Sequence, residues 1–430
     1  MILAHGTVYP SEDATRVIDS LARELPRTLT APPLDSRLVA EACGSLAERI
    51  KRGEFDILLQ RLEQAEILRP GQLRAALALM SRESLLYKLH TELPPVEPVL
   101  SPPGYRGDTI YRKRIPLGVL FHIAAGNVDA LPAYSVVEGL LSGNINLLKL
   151  PSLDSGLSLL ILKELVLAEP RLAPYVYVFD TPSTDLETIR ALADKADGIV
   201  LWGGDETVAA LRRSAPGSTR LIEWGHRRSF AYATPGGTDD QGLEQLAEHV
   251  FDTNQVLCSS CQGVYLDSED PGELAAFSAR LLEALERVGE RASHVPEAMR
   301  GRITLELRCM ELEGENPTRK LLRGQRSAVL LCRDSEPETS LMFGVCWVKP
   351  LPRAKIVETL FPHRGYLQTV GLLCRGKERE ELTERFTRAG AVRVTGPGEM
   401  SRTLSGEAHD GTWSLQRYTK IVEFVSGERQ

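Results

Sequence analysis

The chain has 430 residues, 43% of them apolar and 25% charged, a composition that buries large cores and divides most naturally into two or three domains. A formal net charge of -7 leaves no basic footprint, which sets nucleic acid aside as an expected partner. The opening MILAHGTVYPSEDATR places acids where a secretory signal needs basic and apolar regions, and no uninterrupted apolar run of about 18 residues follows. With seven cysteines too sparse for a disulfide framework, the expectation is a cytoplasmic protein without a membrane span.

Val17, Ile18, Leu21 and Leu25 recur at helical spacing behind Ser11 and an acidic first turn. Leu38, Val39, Ala42, Leu46 and Ile50 repeat the pattern before Gly53, so the first hundred residues read as packing helices. The Pro-rich ELPPVEPVLSPPGYRG breaks this pattern near residue 95, and TIYRKRIPLGVLFHIA reads as a pair of strands entering a sheet. Strands and helices then alternate: GVLFHIA, a helix from Pro132 to Ser142, INLLKL, a helix from Ser155 to Ala168, YVYVFD, a helix from Asp185 to Lys195, GIVLWGG, and a helix from Thr207 to Arg213. Such alternation predicts a parallel sheet covered by helices on both faces. A second alternating region follows Glu223, through FAYATP, a helix around Leu243 to Thr253, GVYLD, an amphipathic helix from Gly272 to Val288, SAVLLC, GVCWVKPL and AVRVTG. It makes a separate α/β lobe.

There is no GxxxxGK phosphate loop, no GxGxxG after a strand, no GxSxG elbow and no HExxH. No histidine stands at zinc spacing from a cysteine, so no metal is expected. The stretch FDTNQVLCSSCQ, Phe251 to Gln262, places Cys258 between a helix and the apolar strand GVYLD. A lone cysteine is ordinarily a small buried hydrophobe, but Ser259, Ser260 and Gln262 suit a connecting loop and a reactive thiol better. Cys261 completes a CxxC; without a second pair or a redox pattern around it, zinc and thioredoxin chemistry are the weaker reading. Asn127, in HIAAGNVDALPAY, is either an ordinary Gly-Asn turn residue or a side-chain amide donor for an oxyanion, whose removal at such sites costs roughly 3 kcal/mol. Glu223, in RLIEWGHRRSF, is either a solvated strand-end carboxylate or a partly desolvated general base.

With Lys149 in NINLLKLPS these residues stand in an order that resembles the aldehyde dehydrogenase superfamily, and within it the LuxC-like acyl-CoA reductases. RKRIPLGVLFHIAAGNVDALPAYSVVEGLLSGNINLLKLPS is very like that family's signature, and DTNQVLCSSCQ is similar to its cysteine motif. HRGYLQTVGLL, AGAVRVTGPGEM and HDGTWSLQRY resemble its C-terminal half, so the resemblance covers about residues 95 to 420. It implies an α/β, aldehyde-dehydrogenase-like fold with two parallel-sheet lobes. The expected parts are a helical segment over 1–94, an NADP-binding domain over 95–224 with bridging strands near Asp108 to Arg114, a catalytic domain over 225–404 and a return segment over 405–430.

The resemblance also implies roles. Cys258 is the acylated nucleophile, Asn127 the oxyanion donor and Glu223 the general base. Lys149 meets the adenosine ribose, and Gly203, Gly204 and Thr207 lie where the chain approaches the pyrophosphate. NAD-preferring relatives carry a glutamate three residues after that lysine; Ser152 stands here and leaves room for a 2′-phosphate, so NADPH is the expected cofactor. The superfamily's Glu-x-Phe-Gly is replaced by Leu341-Met342-Phe343-Gly344. Cys261 stands where proline is expected, which raises the hypothesis of a reversible Cys258–Cys261 disulfide that shuts off activity. The implied reaction is reduction of an acyl thioester, carried by CoA, an acyl-carrier protein or an acylated synthetase, to an aldehyde through a thioacyl-cysteine, in a homo-oligomer. A nonacylating aldehyde dehydrogenase and an inactive partner subunit of an acyl transferase are the alternatives.

Overall fold

The alternating patterns fold into two compact units, Met1–Gly225 with Thr403–Gln430, and His226–Arg402. A computed structural model describes the chain except residues 58, 61–76, 101–108, 125–129, 152–155, 293–294, 296, 314–317 and 427–430.

The first unit contains β1 (Ile2–Ala4), β2 (Thr7–Tyr9), β3 (Val99–Leu100), β4 (Thr109–Pro116), β5 (Val119–Ile123), β6 (Ile145–Lys149), β7 (Val176–Phe179), β8 (Gly198–Trp202) and β9 (Arg220–Trp224). Its main sheet runs β2-β1-β7-β6-β5-β8-β9, parallel from β7 to β9. Every residue of β6 is buried, as a central parallel strand covered on both faces requires. Strand order reverses at β5, with β6 on one side and β8 on the other. In such sheets ligands bind beyond the carboxyl ends of the strands at that reversal.

Two expectations are corrected here. The N-terminal segment is not all helix: β1 and β2 form a hairpin that extends the sheet antiparallel to β7. Its two-residue turn, His5-Gly6, has φ of 52° and 75°, the left-handed pair that a tight hairpin demands. Nor do TIYRKRIP and GVLFHI enter one sheet. β5 enters the main sheet, whereas β4 runs antiparallel to the C-terminal strand Thr419–Ser426, with β3 on its other edge. Asp108, expected in the bridging strands, lies outside the described residues.

The second unit carries β10 (Arg228–Ala233), β11 (Cys261–Leu266), β12 (Arg319–Arg323), β13 (Ala328–Cys332), β14 (Val345–Pro350), β15 (Leu367–Leu373) and β16 (Arg393–Thr395), in the order β12-β13-β14-β11-β10-β15-β16. Only the edge strand β12 is antiparallel. Side chains alternate along β10: Ala231 and Ala233 meet the helices Asp240–Thr253 and Pro271–Gly289, while Phe230 and Tyr232 enter an aromatic core on the other face with Tyr265, Trp347 and Phe386. Gly263 of β11 is required there, because a Cβ would lie 2.1 Å from Trp347 Cδ2. Among the described residues no helix is long and apolar enough to cross a membrane, and no group of three or more His, Cys, Asp or Glu is placed to hold a metal ion.

Candidate active site

The loop that carries Cys258 begins where the helix Asp240–Thr253 ends on Asn254, whose φ of 47° is the left-handed cap that asparagine tolerates. Gln255 follows at φ 61° and is buried. Its Nε2 donates to the carbonyls of Cys261 (2.9 Å) and Val345 (3.1 Å), and its Oε1 accepts from the Gly344 N–H at 3.0 Å. Gln262 Nε2 donates to the Gln255 carbonyl at 2.9 Å, the Leu257 N–H donates to Ser260 Oγ at 3.1 Å, and the Cys261 N–H donates to His249 Nε2 at 3.2 Å. Gln255, Ser260 and Gln262 therefore form the loop's internal frame, each meeting a backbone group, while Ser259 Oγ pairs with Ser401 Oγ at 2.7 Å.

On this frame the Cys258 side chain is exposed. Its carbonyl accepts from Ser229 Oγ at 2.7 Å, and its sulfur lies 3.4 Å from Gln368 Nε2, which donates to it. Cys258 thus sits at the amino ends of β10, β11 and β15. Cys261 is its opposite: fully buried in β11, its thiol donates to the Gly263 carbonyl at 3.1 Å, and burial pushes its pKa up to about 12. This contradicts the hypothesis of a Cys258–Cys261 switch, since one thiol is at the surface and the other is held protonated in the core.

Leu341-Met342-Phe343-Gly344, which replaces the superfamily's glutamate motif, buttresses the same loop. Met342, Phe343 and Gly344 have φ of 63°, 51° and 89°, and the Phe343 N–H donates to the Asn254 carbonyl at 3.2 Å. Two non-glycine residues in succession held left-handed store backbone strain, a property that collects at functional sites.

In the first unit, Lys149, Gly203 and Glu223 stand at or just beyond the carboxyl ends of β6, β8 and β9. Lys149 is buried, burial lowers its pKa against the opposing pull of Asp180, and its Nζ donates to Ser183 Oγ at 2.8 Å. Gly203 leads into Gly204, the N-cap of the helix Asp205–Ser214, and nothing lies within 4 Å of where a Gly204 Cβ would be. Thr207 is exposed on the first turns of that helix, beside the acids Asp205 and Glu206.

Glu223 is half-buried, and it is also held. Arg212 donates to both carboxylate oxygens, Nε to Oε1 at 2.6 Å and Nη2 to Oε2 at 2.5 Å, and Arg417 donates to its carbonyl at 3.2 Å. Asn127 and Ser152 lie outside the described residues. Ser183, Arg212, Ser229 and Gln368 are the residues that the sequence reading missed. Only Gln368 had a local signal, a polar side chain inside the apolar run LQTVGLL.

Solved structures share the architecture. NADP-dependent glyceraldehyde-3-phosphate dehydrogenase from Bacillus halodurans C-125 matches with a TM-score of 0.74 at 14% identity, covering 99% of this chain and 98% of that one. Methylmalonate-semialdehyde dehydrogenase from Oceanimonas doudoroffii gives 0.74 at 13% identity, covering 99% and 97%. The fold is that of the aldehyde dehydrogenases. Within that class, the family model described as acyl-CoA reductase (LuxC) matches residues 37–421, and the chain belongs to this family, as its motifs implied. The long-chain acyl-protein thioester reductase of Vibrio harveyi is 22% identical over 340 residues, 74% of this chain, and long-chain acyl-protein thioester reductase 2 of Photobacterium leiognathi is 25% identical over 337 residues, again 74%. The match spans 66% of the length of each of these two relatives.

Proposed function

We propose that the protein reduces an acyl thioester to an aldehyde through an acyl group carried on Cys258, with NADPH as reductant. The observation that carries this reading is the exposed Cys258 sulfur, met by an amide donor at 3.4 Å in a polar loop, in a member of the acyl-CoA reductase (LuxC) family. The names of the curated relatives specify long-chain acyl groups on protein, which supports an acylated protein beside acyl-CoA as the donor.

The Cys258 thiolate adds to the thioester carbonyl, forming a C–S bond and an oxyanion for which Asn127 is the proposed side-chain donor. Collapse expels the donor's sulfur, which takes up a proton, and leaves a thioacyl enzyme. A reduced nicotinamide supplies hydride when bound. The residues present fit such a group: Lys149 provides a cation at the carboxyl end of β6, next to the reversal of strand order, and the space over Gly204 admits a close approach. Asp205 and Glu206 oppose a pyrophosphate at that helix start, where the helix N-terminus itself favours one. Ser152 stands in the sequence where NAD-preferring relatives carry a glutamate, and Ser152→Glu is expected to move preference from NADPH toward NADH.

Glu223, the proposed base, has both oxygens occupied by Arg212. To activate a water the Glu223 carboxylate must share or give up these arginine hydrogen bonds, and that restraint favours reductive over hydrolytic discharge of the thioacyl group. The apolar side chains Tyr111, Ile421, Phe424 and Val425, exposed on the sheet of β4 and the C-terminal strand, support a homo-oligomer. A cytoplasmic location is part of this reading. Incubation with long-chain acyl-CoA, followed by intact mass and peptide mapping, is expected to show acyl mass at Cys258 that disappears, with aldehyde release, when NADPH is added. Absence of acyl mass in wild-type protein sinks the reading.

A further inference from the structure

The register of the second sheet breaks on both sides of Ser229. Against β15, Arg228 pairs with Leu367 and Phe230 with Val370, so Gln368 and Thr369 together face the single residue Ser229. Against β11, Ser229 pairs with Cys261 and Ala231 with Val264, so an extra residue is accommodated there as well. An extra residue of this kind leaves a backbone group without its ladder partner and re-aims a side chain. Both consequences are visible. The Thr369 N–H donates to Ser229 Oγ at 3.0 Å, and Ser229 Oγ in turn donates to the Cys258 carbonyl at 2.7 Å. Gln368, only 6% exposed, directs its amide Nε2 to the Cys258 sulfur at 3.4 Å. A long polar side chain buried in a strand inside the sheet costs stability unless hydrogen bonding repays it, and here its Nε2 bond ends on the sulfur atom assigned to attack.

We propose that Gln368 is a catalytic residue, a neutral hydrogen-bond donor to the Cys258 thiolate delivered by the bulge in β15, and that Ser229 is the positioning residue that fixes the loop above it. A neutral amide stabilises the anionic sulfur without a permanent positive charge that would bind it so tightly as to blunt its attack. The assignment deepens the reading of Cys258 as the acylated nucleophile and rests on it.

The test is the rate of iodoacetamide alkylation, followed by peptide mass, in which the Cys258 thiolate displaces iodide without any acyl donor or cofactor. Cys309, exposed on the helix Glu297–Leu312 of the same unit, serves as the internal reference. Gln368→Met keeps length and removes the donor; alkylation at Cys258 is expected to slow about tenfold or more at neutral pH while Cys309 is unchanged, since a hydrogen bond to a charged group contributes about 1.5–3 kcal/mol. Gln368→Glu places an anion beside the sulfur and is expected to slow it further. If the methionine variant fails to fold, Gln368→Asn, which retains the amide but shortens its reach, gives the same comparison, with Cys258 slowed relative to Cys309. Ser229→Ala is expected to lose part of the Cys258 rate and Ser229→Thr to restore it. Unchanged Cys258 alkylation in folded Gln368 variants overturns the proposal. Should wild-type Cys258 accept no acyl group, the acyl-transfer reading fails on its own while the alkylation comparison still decides the role of Gln368.

Discussion

Cys258 and Cys261 lie three positions apart and differ in almost every physical respect. One is exposed on a hydrogen-bonded loop, and the other is sealed in a strand with its pKa pushed up to about 12. Cys258→Ala is therefore expected to abolish acyl labelling and aldehyde formation, whereas Cys261→Ser is expected to lower thermal stability through a buried hydroxyl and to leave labelling at Cys258 in place, both read by intact mass and melting. At Glu223 the decisive neighbour is Arg212. Arg212→Gln frees the carboxylate, and the ratio of fatty acid to aldehyde produced from acyl-CoA and NADPH is expected to rise several-fold. The double variant Arg212→Gln/Glu223→Gln is expected to return that ratio to its original value. An unchanged ratio in the single variant shows that the ion pair does not govern the partition. Sequence made Cys258 and Glu223 visible as candidates because their neighbours were polar or apolar in telling ways. Arg212 gave no local signal and Gln368 only its polarity in an apolar run; their partners are 11 and 110 residues away, and nothing local says which residue they meet.

At the scale of elements, the second sheet depends on a small residue meeting a large one. Gly263→Ala forces a methyl into Trp347, and loss of the folded second unit is expected, measured by near-ultraviolet circular dichroism. Two buried histidines give the elements a pH dependence. His122 in β5, bonded to Ser135 and Asn146, and His249, which accepts the Cys261 N–H, are both pushed down to about 4 by burial. Each folded pKa lies below the ordinary 6.5, so the unfolded chain binds a proton that the folded chain does not. Stability from the neutral rings is then complete above about pH 6.5 and declines as pH falls toward about 4. Urea midpoints measured between those limits are expected to fall less steeply for His249→Gln than for wild type. The helices and parallel strands of the alternating region were legible because burial on both faces leaves long apolar runs. The β1–β2 hairpin was missed because its strands are three residues each, too short to show a period, although His5-Gly6 was a usable turn signal.

At the scale of the whole molecule, residues distant in sequence complete the first unit. Lys88 and Glu92, on the helix Arg82–Glu92, meet Glu138 of the helix Leu131–Leu141 in a buried cluster, to which Ser414 Oγ donates at 2.6 Å and the Leu415 N–H at 2.9 Å. Burial opposes the charge on Lys88, but Glu138, Tyr134 and Glu92 around it raise its pKa, so it remains a cation. Lys88→Met strands two carboxylates in the core, and a loss of about 3–5 kcal/mol is expected from chemical denaturation. Phe424→Glu, on the exposed strand, is expected to shift the proposed oligomer to smaller species by sedimentation while the fold survives. What sequence determined alone was the alternation of apolar strands and amphipathic helices, the class of fold that follows from it, and the types of chemistry its motifs carry, because hydrophobic period and residue identity are local properties of the chain. Tertiary structure alone decided which thiol meets solvent, which carboxylate is tied by an arginine, and which glutamine reaches the sulfur. Burial, register and hydrogen-bond geometry arise only when segments far apart in the chain are packed against one another.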